Sequence, residues 1–453
     1  MKCKRSEIIR HFHKIPDLEI ENAQRKSLTS YAGLIIFQNL FQKLGMTERL
    51  RNCFPAESGA FSLSWTALWL VVHLLIGYRR LRDLEYYRND PIVERILGVT
   101  ELPDVSTVSR NLNAVDPGSV DRVRDLNREL VLNRLVKEVL RRVTIDFDGS
   151  VLSTKRHAEG SAVGFNKLHK GRRSYYPLFC TISQTSQFLD LLHRPGNVHD
   201  SNGAEEFVIK YIDAIRGKMP GIALESRLDS AFFQESLFDT LNARGVEFTG
   251  SVPFHRFAEL KGLIENRKRW KQSGPFWYFE AEWSPGIWAQ DFRLIFVRTL
   301  RKVQVKEPLQ LDLFEPVSWE FEYQVIMTNK TQSAKKIVEF HHGRGSQEKI
   351  FAEAKSHLQM DNIPVRSLNG NKLYCIASML AHNLNHELQM ATQSRDRGTT
   401  ENRSSLWIFR SINTLRQNLI QRAGRLIIPQ RRLTLVIGSN EKVRDEILSL
   451  MAS

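Results

Sequence analysis

The sequence predicts an α/β protein in which an all-helical region precedes the sheet. Apolar residues recur at helical spacing up to about residue 142, without strand-like alternation. From Val143 onward, strand-like runs alternate with helical segments, which is typical of an α/β domain. A β-rich stretch, which holds five of the eight tryptophans, interrupts this alternation. We therefore expect a helical domain over 1–142, a core over 143–253 and 332–394, a β-rich insertion over 254–331 and a basic C-terminal region over 395–453.

The composition is that of a globular protein with an anionic partner. The chain has 453 residues, of which 42% are hydrophobic and 25% charged, so a mostly disordered chain is disfavoured. Lys and Arg number 65 against 50 Asp and Glu, which gives a net charge of +15. A charge of this sign on so large a chain points most often to nucleic acid.

The sequence shows no zinc finger, disulfide framework or membrane anchor. The four cysteines are far apart and form no CxxC pair, so a reducing compartment is the simplest setting. The basic N-terminus has no apolar core of a signal peptide. The most apolar run, 61–78, is short for a membrane span and is interrupted by serine and histidine, so we predict a buried helix. We expect a cytoplasmic protein without a membrane partner.

Periodicity predicts the individual elements of the core. Strands are predicted at VTIDFDGSVL, YYPLFCTISQ, SQFLDLLHRPG, the start of GIALESRLDSAFF and VEFTGSVPF, and within the insertion at WYFEAEW, DFRLIFVRTL and WEFEYQVIMTN. Helices are predicted at AEEFVIKYIDAIRGKM, ESLFDTLNARG, SQEKIFAEAKSHLQM and KLYCIASMLAHNLNHELQM. The segment 391–405 is predicted to be a loop.

The segment LPDVSTVSRNLNAVD predicts a helix start in the N-terminal region. Asp104 or Ser106 would cap this helix, which places Thr107, Ser109 and Arg110 in its first turns. Such residues suit the recognition helix of a helix-turn-helix, with Arg110 as a DNA contact. The alternative is an ordinary capped surface helix.

Three acidic positions stand out by their context. Asp146 and Asp148 are two apart on a predicted strand, so both side chains leave the same face. Asp229 follows a strand at a turn, and Glu348 lies in a helix. Carboxylates at strand ends of an α/β sheet lie where ligands bind, and together they could hold two divalent cations at a phosphodiester. Each acid alone is more often a solvated surface group.

The Glu348 helix also carries cations on one face. If the helix begins by His341, helical spacing places His341, Arg344, Glu348 and Lys355 within a sector of about 60°. This face would offer a metal-binding carboxylate beside groups that hold phosphate oxygens. The alternative is a solvated face with stabilising Glu–Lys pairs.

The pattern His341-x2-Arg344-x3-Glu348-x6-Lys355 resembles the Tyr-x2-Arg-x3-Glu-x6-Lys signature of bacterial insertion-sequence DDE transposases. Further blocks resemble that family in the same order, over roughly residues 30 to 390: LRDLEYYRNDPIVERILG with LPDVSTVSR, IDFDGS, YYPL with HRPGNVHDSNGAEEF, SRLDSAFF and VIMTN. The subgroup is identified as DDE transposase group 1. His341 departs from the pattern, since it replaces a tyrosine, although histidine can still stack on a base or donate to phosphate.

The resemblance implies an RNase-H-like catalytic core that the β-rich insertion interrupts. It implies that Asp148, Asp229 and Glu348 bind two Mg²⁺ ions, for which Mn²⁺ may substitute. Asp148 is preferred because the family's block reads Asp-x-Thr/Ser, and Asp146 is the second candidate. Lys355 and Arg344 would contact phosphates of the transposon end. Arg227 would either support the acids or contact phosphate.

Two further groups are candidate DNA contacts. A cationic segment after the first aspartate, which includes Arg172 and Arg173, suits a groove that follows the DNA backbone, or else is a basic surface loop. Most tryptophans of the insertion should form its core, whereas Trp270 and Trp288 are the candidates for stacking on an unpaired base.

These observations predict a cut-and-paste DNA transposase, nucleoid-associated in a bacterium. It would bind terminal inverted repeats of double-stranded DNA, hydrolyse a strand at each transposon end and join the exposed 3′-OH to target DNA. Cleavage of two ends implies at least a homodimer on DNA. The alternatives are a domesticated, non-catalytic DNA-binding protein and an RNase-H-like nuclease without strand transfer. The second-strand route, through a hairpin or otherwise, and the part that reads the repeat stay open.

Overall fold

The computed structural model describes residues 27–55, 59, 61–155, 157–164, 166, 169–198, 202–304 and 317–452. The helices are α1 (Ile35–Lys43), α2 (Met46–Arg51), α3 (Leu63–Ile76), α4 (Pro91–Leu97), α5 (Val105–Ala114), α6 (Pro117–Lys137), α7 (Ala204–Lys218), α8 (Glu235–Ala243), α9 (Ala258–Glu265), α10 (Ala334–His342), α11 (Gly345–His357), α12 (Leu368–Thr392), α13 (Ile412–Leu415) and α14 (Glu441–Met451). The strands are β1 (Leu28–Thr29), β2 (Arg142–Gly149), β3 (Leu152–Ser153), β4 (Ala162–Val163), β5 (Arg173–Tyr175), β6 (Leu178–Ile182), β7 (Gln187–Leu192), β8 (Ala223–Leu228), β9 (Glu247–Ser251), β10 (Lys271–Ser273), β11 (Phe276–Trp283), β12 (Phe292–Gln304), β13 (Val317–Thr328), β14 (Gly424–Ile427) and β15 (Thr434–Ile437).

A nine-stranded mixed sheet forms the centre of the molecule, in the order β10-β11-β12-β13-β9-β8-β2-β6-β7. The strands β2, β8 and β9 run parallel, whereas β6 and β7 pair antiparallel beside β2. The helices α6, α7 and α8 contribute apolar residues to the core on this sheet. This arrangement confirms the predicted α/β class with an RNase-H-like core.

The predicted insertion is β-rich, and its strands lengthen the central sheet. The end of β13 pairs antiparallel with β9, with Met327 opposite Gly250. The strands β12 and β11 follow outward, paired along most of their length. These hydrogen bonds continue those between β9 and β8. The insertion is therefore attached to β9, which neighbours β8, the strand that precedes Asp229.

The N-terminal helices share one hydrophobic core with the C-terminal region. Apolar side chains of α3, α12 and α14 belong to the same cluster, and α3 is buried on nearly all sides. The short strand β1 pairs with β14, and the Asn39 amide donates to the carbonyl of Met451 at 2.7 Å. The C-terminal region, which was predicted only to be basic, therefore packs with the N-terminal helices in one core. The strand β1 lies within the region predicted to be all helical, so that prediction is wrong at this point. Among the described residues, no helix combines the length and apolar character that a membrane span needs.

Candidate active site

Asp148 and Asp229 lie at the ends of two neighbouring parallel strands. Asp148 is the seventh residue of β2, and Asp229 directly follows β8. The register pairs Asp146 with Arg227, and its extension by two residues brings Asp148 opposite Asp229. Carboxyl ends of parallel strands are the usual place for ligands in an α/β sheet. Both carboxylates are half-buried, with side-chain exposures of 22% and 28%.

One guanidinium bridges these two carboxylates. Arg344 Nη1 lies 3.4 Å from Asp148 Oδ2, and Nη2 lies 3.1 Å from Asp229 Oδ2. The other oxygen of Asp229 accepts a hydrogen bond from the backbone of Ala231 at 2.9 Å, which fixes the carboxylate at the turn. Arg344 therefore supplies the positive charge that two adjacent carboxylates require.

The helix predicted at SQEKIFAEAKSHLQM is present as α11, whereas the condition for the shared face, a helix that already begins by His341, is not met. The chain forms two helices, since α10 ends at His342 and α11 begins at Gly345. The link passes so close to its neighbours that a Cβ at Gly343 would lie 1.9 Å from the carbonyl oxygen of Asn402. Gly343 and Arg344 keep helical backbone angles at this junction, and the side chain of Arg344 reaches both aspartates from it.

Glu348 lies in the first turn of α11, beside the end of β2. The neighbouring Gln347 is buried and donates to the main-chain carbonyl of Asp146 at 3.1 Å, which holds the start of the helix against the strand. The Glu348 side chain is exposed. Seven residues on, Lys355 Nζ donates to the carbonyl of Val151 at 3.4 Å. Burial lowers the pKa of Lys355, whereas Asp361 and Asp148 oppose that shift.

Asp146 has a structural partner. Its two oxygens accept hydrogen bonds from Nε and Nη2 of Arg227, both at 2.6 Å, and the two side chains are 1% and 0% exposed. Arg227 also donates to Ser183 Oγ and to the carbonyls of Phe340 and Asn402. The predicted phosphate contact of Arg227 does not agree with this burial, because its guanidinium is committed to partners inside the protein.

A second buried ionic cluster surrounds Glu225, two residues before Arg227 on β8, and was missed by sequence reasoning. Glu225 is fully buried and accepts hydrogen bonds from Arg403, at 2.8 and 2.9 Å, and from Lys330, at 2.7 Å. Arg403 belongs to the segment predicted to be a loop. Burial raises the pKa of Glu225, but the hydrogen bond of Arg403 and the charge of Lys330 outweigh it and hold that pKa well below its usual range. The sequence pattern that could have indicated this cluster was the pair of charged residues, Glu225 and Arg227, on one face of a predicted strand.

His341 does not reach the surface. Its ring is 4% exposed, with Nδ1 at 3.0 Å from Thr249 Oγ1 and Nε2 at 2.9 Å from Ser251 Oγ. Burial, together with the neighbouring His342 and Arg344, holds the pKa of His341 well below its usual value, so the ring is neutral at pH 7. The predicted DNA contact is not available in this conformation, because the histidine attaches α10 to β9.

A basic cleft lies between the N-terminal helices and the loops after β2. Two adjoining hollows share Thr154 and Lys155 as lining residues. The cations along them are Arg79, Arg80, Arg82, Lys155, Arg172 and Arg173. The predicted contact Arg172 is exposed there, whereas Arg173 is partly committed to Ser161, and the predicted contact Arg110 is exposed on α5. The arginines at 79–82 were not singled out, although the string YRRLR was a visible charge run.

Trp270 packs within the insertion, whereas Trp288 packs from the insertion onto residues of the core. Arg298 lies over the Trp270 ring at 4.6 Å, and Phe279 meets that ring edge-on. Trp288 stacks on Phe233 with ring centroids 4.9 Å apart. Both rings are half-buried. The predicted base stacking therefore competes with contacts that both rings already make inside the protein, and the interpretation as insertion core describes Trp270.

Comparison with known proteins identifies the family. The family model described as "Transposase DDE domain group 1" matches residues 17–453. The chain belongs to this family. It is accordingly a transposase that cleaves DNA with divalent metal ions, which confirms the predicted enzyme class and the resemblance on which it rested. No curated protein matches the chain significantly.

The DDE family assignment rests on that sequence match. The piggyBac transposase synaptic complex with hairpin DNA is 11% identical, with a TM-score of 0.41, over 78% of this chain and 75% of that chain. The Mos1 mariner paired-end complex with Mn is 13% identical, with a TM-score of 0.17, over 37% of this chain and 56% of that chain. These scores are too low to add structural detail to the site.

Proposed function

We propose that this DDE transposase cleaves DNA at the ends of an insertion sequence with Asp148, Asp229 and Glu348 as its metal-binding acids, and joins the resulting 3′-OH to target DNA. The observation that carries this proposal is the convergence of Asp148 and Asp229 at adjacent strand ends on Arg344. The first turn of α11, with Glu348, borders the same strand end.

The donor set fits hard divalent cations. All three side chains offer carboxylate oxygens, which Mg²⁺ and Mn²⁺ prefer. When bound, two such ions would activate the attacking oxygen and stabilise the leaving one. In the described structure Glu348 does not share metal-ligand spacing with the two aspartates. Cation binding therefore requires Glu348 to approach Asp148 and Asp229 and Arg344 to leave them.

Arg344 has a second role once it leaves the aspartates. Its planar guanidinium suits bidentate contact with a phosphate group. The position between α10 and α11 gives it a short path from the carboxylates to a DNA strand lying over them. Lys355 projects from the same side of α11 as Glu348, since seven residues make nearly two full turns, and it can hold a neighbouring phosphate. These two cations would orient the scissile strand.

The basic cleft gives the DNA a route across the molecule. Its arginines and lysine lie on both the N-terminal helical part and the core, so one duplex could be held by both. Contacts with phosphates are sequence-independent and depend strongly on salt. Since two transposon ends must be processed together, we propose a homodimer as the assembly on DNA.

The test uses purified protein, Mg²⁺ or Mn²⁺ and a labelled duplex that carries the element's own terminal repeat. Wild type is compared with Asp229→Asn and Glu348→Gln, and with Asp213→Asn and Glu339→Gln as exposed controls. We expect metal-dependent cleavage at the repeat boundary that both site variants lose and both controls keep. Strand transfer into a plasmid distinguishes the transposase from a nuclease, and specific binding without cleavage would indicate the domesticated protein. Cleavage that survives both site substitutions would contradict the assignment.

A further inference from the structure

A histidine pair and a carboxylate face one another on the buried side of α11. Glu353 Oε2 lies 3.9 Å from His382 Nδ1 and 4.0 Å from His386 Nε2. The three ligand atoms lie within 4.8 Å of one another, and within the described residues this is the one group of three potential metal ligands so close together. His382 and His386 are one turn apart on α12, so both rings leave the same side of that helix.

Each histidine ring contacts a main-chain carbonyl with one nitrogen, and this contact fixes the protonation of the other nitrogen, which faces Glu353. His382 Nε2 lies 2.9 Å from the carbonyl oxygen of Ser186, and His386 Nδ1 lies 3.1 Å from that of Thr185. A carbonyl accepts only, so these nitrogens carry the protons and donate. In the neutral rings the lone pairs of His382 Nδ1 and His386 Nε2 are then directed at the anionic Glu353.

Three acceptors that face one another without a hydrogen between them favour a cation at their centre. His382 Nδ1 and His386 Nε2 are buried and have no hydrogen-bond partner among the described residues, and their rings are 0% and 3% exposed. A protonated imidazole would approach the carboxylate to about 2.8 Å, well inside the separations seen here.

We infer that Glu353, His382 and His386 bind one zinc ion, separate from the active-site acids. Two imidazoles and a carboxylate form a common zinc donor set, with water in the fourth position. Zinc ligands at about 2.0–2.1 Å from the ion are about 3.3 Å apart, so the present separations need contraction by about 0.6 to 1.5 Å. The outer hydrogen bonds also match, because a metal-bound histidine usually donates its other N–H to a carbonyl or carboxylate.

The position of this site indicates a structural role. Glu353 lies five residues after Glu348 on α11, which is about 140° around the helix, so the two carboxylates leave different sides. Zinc at Glu353 would attach α11 to α12 and, through the carbonyls of Thr185 and Ser186, to the β6–β7 turn. Glu353 Oε1 also accepts from the backbone of Ile412 at 2.8 Å. The ion would thus fix the side of α11 opposite the active site, and this inference does not depend on the proposed cleavage reaction.

The test measures metal content and spectra of the full chain. Wild type, Glu353→Gln, His382→Gln and His386→Gln are compared with His255→Gln, whose histidine is exposed. We expect one zinc per chain by mass spectrometry after dialysis against Mg²⁺, and at least about tenfold weaker zinc affinity in each ligand variant than in the control. Chelation should lower the melting temperature of wild type and of His255→Gln, but not that of the three ligand variants.

Cobalt substitution keeps the test decisive if the ligand variants fail to fold. Wild-type protein loaded with Co²⁺ should show the visible absorption of a four-coordinate site with nitrogen and oxygen donors and without thiolate charge transfer. Wild type that binds neither zinc nor Co²⁺ would overturn the inference. Zinc retained at full affinity by all three ligand variants would overturn it as well, because the ion would then lie elsewhere in the chain.

Discussion

Asp146 and Asp148 are separated by one residue, yet the structure predicts opposite consequences when each becomes asparagine. Asp146→Asn leaves the Arg227 guanidinium buried without a counter-ion, since both side chains are at most 1% exposed. Loss of one partner of a buried pair costs about 3–5 kcal/mol. For a cooperative unit of about 150–250 residues, this corresponds to a fall of about 6–20 °C in melting temperature.

Asp148→Asn should cost much less stability than Asp146→Asn. Its contact with Arg344 is 3.4 Å long, and both side chains are about one-fifth exposed. Loss of this pair costs about 1 kcal/mol, which corresponds to about 2–4 °C in melting temperature. DNA cleavage, in contrast, should be lost in Asp148→Asn and retained in Asp146→Asn when both are assayed well below their melting temperatures.

Thermal unfolding followed by circular dichroism, together with the cleavage assay, separates these outcomes. The double variant Asp146→Leu/Arg227→Met should recover most of the lost stability, because neither charge is then left unpaired. The reasoning would be refuted if Asp146→Asn melted like wild type and abolished cleavage while Asp148→Asn stayed active. That result would make Asp146 the metal-binding aspartate.

Three further predictions concern charges around the site. Glu225, whose pKa is held low in the folded protein, should contribute stability above about pH 4.5 that is lost as the pH falls further, and Glu225→Gln should flatten this acid decline in the melting temperature. Arg344→Gln should bind Mn²⁺ about 3- to 30-fold more tightly without DNA in calorimetry, because two contacts of about 0.3–1 kcal/mol no longer compete with the ion. Arg79→Gln and Arg172→Gln should each reduce the slope of DNA affinity against salt by about one unit.

Each of these predictions has a contradicting result. Equal acid profiles for wild type and Glu225→Gln would show that the buried cluster does not control acid stability. Weaker Mn²⁺ binding by Arg344→Gln would show that the guanidinium supports the ion and does not compete with it. Unchanged salt slopes, with Arg444→Gln on α14 as the exposed control, would place the DNA away from the basic cleft.

Local patterns predicted the two strands whose ends carry the candidate aspartates. The alternation in IDFDGS and the turn after SRLD located β2, β8 and their end carboxylates, because strand period and turn chemistry are properties of neighbouring residues. The preference for Asp148 over Asp146 came from the family pattern. The structure shows in addition that both carboxylate oxygens of Asp146 accept hydrogen bonds from Arg227.

Long-range pairings were beyond sequence reasoning. The Arg403 contact with Glu225 joins residues 178 positions apart, and nothing in the loop segment indicates a buried ion. The close approach of Gly343, between α10 and α11, to the segment around Asn402 is also a contact that helical periodicity cannot reveal. The pairing of Glu353 with His382 and His386 likewise depends on how α11 packs against α12.

Metal rescue can show whether Asp148 ligates a metal ion during DNA cleavage. Asp148→Cys replaces an oxygen ligand by sulfur, which Mg²⁺ binds poorly and softer divalent ions bind better. If Asp148 is a metal ligand, this variant is inactive with Mg²⁺ and regains cleavage at the same phosphodiester with Mn²⁺, whereas Asp148→Ala is inactive with both. Equal activity of Asp148→Cys and wild type in Mg²⁺, or equal rescue of Asp148→Ala by Mn²⁺, would contradict it.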